Sequence, residues 1–342
     1  MDADAELCAR LLTVLRSATG TPSLEFDGEP VRLHGGFWAE LFAFRLAGAG
    51  DGWDRELVAR VMPDPALACK EIIIQQQVAA AGFPTPIVRA SGGPDGRLGR
   101  AYMVMDRADG SPLLSGLGGG AIAQLPRLAA SIAETLASTM AKLHSLDPQL
   151  VEGRLAGSCD VGTTVAEMLD GLEATATVYG RTDLGAAARW LIEHSPTPAA
   201  EVICHGDLHP FNLLVDGDRQ VTVLDWSAAL LGARSYDVAF TSLVIAEPPL
   251  PVGAVLRPVV RGAGRLLSRR FVRRYQHHAG ITIDKHELRW YQAVVCLRAL
   301  VEVAGWVQAK TLDGRGGHPW VVNGPAFAKR LSKLTGVRVR PR

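Results

Sequence analysis

The five cysteines (Cys8, Cys69, Cys159, Cys204 and Cys296) are odd in number, scattered, and never spaced as Cys-x-x-Cys. They suggest neither a zinc site nor a disulfide framework, and they fit a reducing cytoplasm. No uninterrupted apolar run is long enough for a membrane span. The most apolar late stretch, Ala293 to Val307, is broken by Arg298 and Glu302, so it reads as a buried helix. The first residues, Met1-Asp-Ala-Asp-Ala-Glu, are acidic, whereas a secretory signal starts basic and continues apolar. Internal repeats and low-complexity tracts are lacking. Gly116 to Gly120 has no strand before it and no Lys after it, which excludes a phosphate cradle of the P-loop kind.

What is present is aliphatic content high enough, over 342 residues, for two lobes with substantial cores. Charge is divided unevenly. Residues 251–342 hold 18 Lys and Arg against 4 Asp and Glu, while residues 1–250 hold 18 against 31. No aromatic-and-basic motif accompanies the cationic part, so nucleic acid is not expected as a partner. A solvated arginine-rich helical face is.

The most informative stretch runs from Val202 to Trp226. Val202 to Cys204 reads as a strand ending in a polar loop with His205, Asp207, His209 and Asn212. Leu213 to Val215 leaves that loop as a second strand. Asp216-Gly-Asp-Arg219 reverses the chain, and Val221 to Leu224 returns it to Asp225. So short a hairpin sets Asp225 beside Asn212, with Asp207 on the same loop. Two carboxylates and an amide suit a hard cation such as Mg²⁺ and phosphate oxygens. Asp207 is then placed to orient, or take a proton from, a hydroxyl nucleophile. A rival reading makes His205, Asp207 and His209 ligands of a transition metal in a hydrolase. A structural loop whose Asp and Asn satisfy backbone groups is another.

Upstream, residues 3–18 carry helical periodicity, and Val31 to Leu33, Leu41 to Leu46 and Glu56 to Met62 read as strands. Gly35-Gly36 joins the first two, as a flap that approaches a ligand or as an ordinary turn. Arg60 stands among apolar neighbours in its strand. Glu71, near the start of a helix from Ala66 to Ala81, is a candidate partner for it. The strand Ala101 to Met105 leads into the polar turn Asp106 to Gly110. Beyond that turn the chain is mostly helical: Leu128 to Leu146, Val165 to Tyr179, Asp183 to His194, a helix begun by Gly232 and Tyr236 to Phe240, Val259 to His278, Lys285 to Gln308, and a short Pro325 to Leu334. His144 reads as a polar residue at a helix end.

His205-Gly-Asp-Leu-His-Pro-Phe-Asn-Leu-Leu-Val, followed by Leu224-Asp-Trp-Ser227, resembles the aminoglycoside phosphotransferase-like family of small-molecule kinases. The resemblance implies an α+β, protein-kinase-like bilobal fold: a mixed N-terminal lobe with an antiparallel sheet (residues 1–107, ending in a hinge) and a mostly helical C-terminal lobe (residues 108–342). It implies Asp207 as catalytic base and Asn212 and Asp225 as Mg²⁺ ligands. Arg60 would lie on the α/β-phosphates and pair with Glu71, and Gly35 and Gly36 would form the nucleotide flap. The backbone from Asp106 to Ala108 would meet the purine, and His205 and Asp237 would support the loop. The donor would be ATP or GTP and the acceptor a small-molecule hydroxyl. Arg60 stands where the best-known members carry Lys, Trp38 and Ala39 where many carry Ser and Asn, and Phe211 where Gly is frequent.

The acceptor is less legible. Polycationic aminoglycosides call for an acidic cleft, and the C-terminal helices are basic. A few pocket residues such as Glu302 or Asp313 could outweigh that, and Trp290 with Tyr291 to Trp306 offers apolar lining for a bulkier molecule. A nucleotide-binding regulatory module without transferase activity is the alternative, motivated by Trp38, Ala39 and Arg60.

Overall fold

The computed structural model describes residues 3–33, 39–113, 125–197, 200–248 and 257–341. The chain divides into two compact units. The first comprises Met1–Leu113, Gln149–Val161 and Asn212–Ala228; the second comprises Leu114–Pro148, Gly162–Phe211 and Ala229–Arg342.

The first unit is built on an antiparallel five-stranded sheet in the order β2 (Val31–Leu33), β3 (Glu40–Phe44), β5 (Leu57–Met62), β7 (Ala101–Asp106), β6 (Val88–Gly92). Helix α1 (Ala3–Thr19) buries Leu11 and Leu15 with Phe42, Leu57 and Val104 of the sheet. A two-residue pair, β1 (Glu25–Phe26) with β4 (Leu46–Ala47), extends this core. β5 is central and buried at every residue, which is why it reads as a continuous Val- and Leu-rich run rather than an alternating one. Helix α2 (Pro65–Ala80) starts where Asp64 accepts the N–H groups of Ala66 and Leu67 and Pro65 occupies the first turn. It ends as Gly82 turns left-handed at φ 77°.

The hairpin β10 (Leu213–Val215) with β11 (Val221–Val223) belongs to this unit. Its register is Leu213 opposite Val223, and β8 (Ser111–Pro112) adds to its other edge. Gly110 before β8 lies at φ 105°, and a Cβ there would sit 2.6 Å from the Val215 carbonyl, so only glycine fits. Helix α4 (Gln149–Leu155) precedes Cys159, which is bonded to Cys69 of α2 with a Cα separation of 5.8 Å. This corrects the expectation that no disulfide is present. Residues 90 apart carry no pairing signal in sequence, and the fold alone brings them together.

The second unit is helical around α9 (Lys285–Gln308), which is apolar on nearly every face and therefore central. Around it lie α5 (Val165–Val178), α6 (Thr182–Glu193), α7 (Arg234–Ala246) and α10 (Pro319–Thr335); α8 (Arg257–Ala279) packs on α7 and on α3 (Leu125–Leu143). β9 (Glu201–Cys204) pairs with β12 (Leu230–Ala233), Cys204 opposite Leu230. Gly232 thus lies in a strand, not at a helix start. The last helix begins six residues earlier than its apolar pattern suggests, because His318 caps it and Pro319 sits in its first turn, leaving Pro325 inside. Trp290, Tyr291 and Trp306 are core residues, which corrects their reading as cleft lining. No helix among the described residues is long and apolar enough to cross a membrane.

Candidate active site

The candidate residues fall into two groups, one in each unit. In the first unit, Arg60 projects from the middle of β5. Its Nε lies 3.0 Å from Glu71 Oε1 and its Nη2 lies 3.0 Å from Asp225 Oδ1. The Glu71 contact is an ion pair off the N–H axis rather than a directed hydrogen bond, whereas the Asp225 contact is a hydrogen bond. Glu71 is 2 % exposed and Arg60 6 %. Burial is the largest influence on Glu71 and outweighs the attraction of Arg60, pushing its carboxyl up to about 7. Burial works against the Arg60 charge, but Glu71 and Asp225 more than offset it, so its pKa is raised.

Asp225 follows β11 in the left-handed region, at φ 63°, an uncommon and strained conformation for a non-glycine residue. Its neighbours on both sides are held in place. Leu224 N–H donates to the Asn212 carbonyl at 2.9 Å, which closes the hairpin and sets Asn212 and Asp225 at one end of it. On the other side Trp226, fully buried, donates its indole N–H to Thr85 Oγ1 at 2.9 Å, and Thr85 in turn donates to the Val223 carbonyl. Asn212 and Asp225 offer an amide oxygen and a carboxylate that is about one-third exposed. That hard, oxygen-only donor set fits Mg²⁺.

At the expected hinge, Asp106 N–H donates to the Ile87 carbonyl and Arg107 N–H to the Glu56 carbonyl. Arg89 clasps the Asp106 carboxylate through two hydrogen bonds of 2.7 Å. Gly35, Gly36 and Trp38 lie outside the described residues.

In the second unit, β9 delivers the loop His205 to Phe211, and side chains of α7 and α9 hold its backbone. Asp237, in the first turn of α7, accepts His205 N–H at 2.8 Å and Gly206 N–H at 2.6 Å. Thr241, one turn on, donates to the Leu208 carbonyl at 2.7 Å. Arg298 of α9 donates to the Gly206 carbonyl at 2.8 Å and to the Tyr236 hydroxyl at 2.9 Å. His144 lies 3.1 Å from Asp237 through Nε2 and 2.7 Å from the Tyr275 hydroxyl through Nδ1. Burial alone would raise the Asp237 pKa; His144, His205 and the Gly206 amide reverse that, leaving it lowered. Asp207 N–H donates to His205 Nδ1, and the Asp207 carboxylate, about one-quarter exposed, lies 3.7 Å from His209 Nε2.

His144, Thr241 and Arg298 join the site only through the fold; the sequence does not mark them as site residues. Arg298 does carry the signal that marks Arg60, a cation within an apolar run. Thr241 and His144 carry none, since a Thr in a helix and a His after one are ordinary. His144, Cys204 and Asp237 approach within 4.8 Å of one another. Both His144 nitrogens and both Asp237 oxygens are already engaged, and burial holds the Cys204 thiol well above its ordinary pKa, so this is a hydrogen-bonded core rather than a metal centre.

The sequence pattern of the phosphotransferase enzyme family matches residues 42–291. No curated protein matches the chain. Among solved structures, a candidate aminoglycoside phosphotransferase from Ralstonia eutropha JMP134 superposes with a TM-score of 0.64 at 19% identity, covering 94% of this chain and 98% of that one. Aminoglycoside phosphotransferase APH(4)-Ia gives 0.58 at 20% identity, with 92% and 98% covered. Macrolide 2'-phosphotransferase MphH from Brachybacterium faecium gives 0.53 at 17%, with 89% and 96% covered. APH(4)-Ia is also known as a ternary complex with AMP-PNP and hygromycin B. The shared fold is the protein-kinase-like one.

Proposed function

The chain belongs to the phosphotransferase enzyme family, and on that premise we propose that it transfers the γ-phosphate of ATP or GTP to a hydroxyl of a small molecule. The observation that carries this reading is the bracing of the Asp207 loop. Two of its N–H groups are held by Asp237 and two of its carbonyls by Thr241 and Arg298, while the Asp207 carboxylate keeps access to solvent. A loop held that firmly around one accessible carboxylate suits a group that must orient an incoming hydroxyl.

In this reading Asp207 accepts the hydrogen bond of the acceptor hydroxyl and takes its proton as the bond to phosphorus forms. Arg60, fixed by Glu71, presents positive charge to the α/β-phosphates, and its planar fork suits two oxygens at once. The Asp106 carbonyl and Ala108 N–H meet the purine edge. Asn212 and Asp225 would hold Mg²⁺, which when bound neutralises charge on the phosphate oxygens. His205 and Asp237 keep the loop in register. The work of such an enzyme lies where nucleoside triphosphates are, in the cytoplasm.

The acceptor is the open half of the reaction. APH(4)-Ia binds hygromycin B and MphH is a macrolide kinase, so hydroxylated antibiotics lead the panel, alongside neutral hydroxylated metabolites. Acceptor-dependent ADP or GDP release identifies the substrate. Asp207→Asn is expected to lower kcat by roughly 1,000-fold or more while nucleotide affinity is nearly kept. Unchanged turnover in that variant would remove the assignment, and Mg²⁺-independent nucleotide binding with no turnover would favour a regulatory module.

A further inference from the structure

Arg298 stands in the middle of α9, flanked by Leu297 and Ala299, both fully buried. It keeps some surface in solvent, yet burial is the largest single influence on its guanidinium. A buried cation is retained at a cost unless charges of opposite sign meet it. Its directed hydrogen bonds go to neutral groups, the Gly206 carbonyl and the Tyr236 hydroxyl, and its face lies 5.6 Å from the Phe240 ring. The formal charges it answers are those of Asp207 and Glu302, which together with Tyr236 hold its pKa up against burial.

Resting on the reading of Asp207 as the base, we propose that Arg298 is a positioning residue for phosphoryl transfer. It fixes the Gly206 peptide, and with it the direction in which Asp207 points, and it supplies the counter-charge that keeps Asp207 ionised when an acceptor displaces water. Glu302, one helical turn further along α9, competes for the same cation. It accepts the Trp320 indole N–H at 3.0 Å; burial, and less so Asp207, raises its carboxyl, while Arg298, the Trp320 bond and Arg315 pull it back. His209, at 3.7 Å, and His205, which accepts the Asp207 N–H, also face Asp207. Beneath them on α7, the Asp237 carboxylate is spent on His205, Gly206 and His144. Arg298 thus couples Asp207 to α9, and two carboxylates act on it.

The shared cation makes opposite predictions for two variants. The pH dependence of kcat is measured as nucleotide turnover, with an acceptor from the panel or with water as acceptor. Arg298→Met is expected to lower kcat roughly 100-fold, with nucleotide affinity little changed, because the loop loses its anchor. Its acidic limb should move up by about one pH unit, because Asp207 loses its counter-charge. Glu302→Gln is expected to move that limb down, since Arg298 then serves Asp207 alone. Arg298→Lys should restore the limb but only part of kcat, because an ammonium keeps the charge but does not hold its donors where the planar guanidinium sets Nη1, against both Gly206 and Tyr236. Limbs that stay in place, or move in the same direction in Arg298→Met and Glu302→Gln, would overturn the proposal. If Arg298→Met fails to fold, Glu302→Gln and Arg298→Lys decide alone. Asp207→Asn separates the two failures. Wild-type turnover in it removes the reading of Asp207, whereas a dead Asp207→Asn with unmoved limbs removes only the role of Arg298.

Discussion

Glu71 is a residue whose surroundings move its ionisation into the neutral range. An ordinary glutamate ionises near pH 4.5, and this one is pushed up to about 7 by burial despite Arg60 at 3.0 Å. A carboxyl raised in the folded state binds its proton more tightly there than in the unfolded chain. Its contribution to stability is therefore fully present below about pH 4.5 and is lost as pH rises through about 7. Glu71→Gln cannot titrate, so the difference in unfolding free energy between wild type and this variant should fall between about pH 4.5 and 7.5 and be flat above. Urea unfolding of both proteins across that range measures it, and a constant difference would remove the argument. In sequence, Arg60 and Glu71 can be named, but their pairing rests on family likeness. The fold confirms the contact and adds Asp225 as a third member, which spacing alone could not supply. His144 and Thr241 are invisible in sequence for a different reason. Their roles consist entirely of contacts made across the fold, to Asp237 and to the Leu208 carbonyl.

At the scale of elements, the β10–β11 hairpin is readable because every cue for it is local: two short apolar runs, a turn of Asp and Gly, and a return of fixed length. Its register, Leu213 with Val223, puts Asn212 beside Asp225 as that length requires. Helix α9 is readable for a similar reason, since apolar residues on all faces over 24 positions leave no other place for it. The elements that escape are made by distant pairing. β12 reads Leu-Leu-Gly-Ala and becomes a strand only because β9, far earlier in the chain, offers it an edge. β6 and β8 are likewise strands by virtue of β7 and β10. The hairpin depends on one such distant contact. Thr85, in the connection between α2 and β6, donates to the Val223 carbonyl and accepts from Trp226, and it is 9 % exposed. Thr85→Val keeps the shape and leaves both partners unpaired, which is expected to cost about 2–4 kcal/mol in urea unfolding. Because the same contact seats Asp225, nucleotide affinity in the presence of Mg²⁺ should fall more than affinity in its absence. Equal losses in the two conditions would mean that the Thr85 contact supports the core but not the candidate metal ligand.

At the scale of the whole molecule, the uneven charge of the sequence has a visible location. Arg265, Arg269, Arg270 and Arg273 stand on α8, while Arg261 pairs with Glu247, and Arg274 and His278 pair with Glu134 of α3. The cationic excess is thus a solvated helix face with a few acidic partners, as the sequence suggests. The cysteines tell the opposite story, since their count and spacing conceal a covalent bond. Cys69 lies on α2 and Cys159 comes after α4, so the bond fastens Gln149–Val161 to the rest of the first unit after the chain has passed through Leu114–Pro148 of the second. Closing a loop whose ends are 90 positions apart restricts the unfolded chain far more than the folded one. Reduction, or Cys159→Ser, is expected to lower stability by about 2–4 kcal/mol, which for a chain of this length corresponds to a fall in Tm of roughly 3–6 °C. Thiol titration of the denatured, unreduced protein should find three reactive groups, from Cys8, Cys204 and Cys296. A full complement of free thiols would show that the bond does not form in the isolated protein, and the expected loss of stability on reduction would then vanish with it.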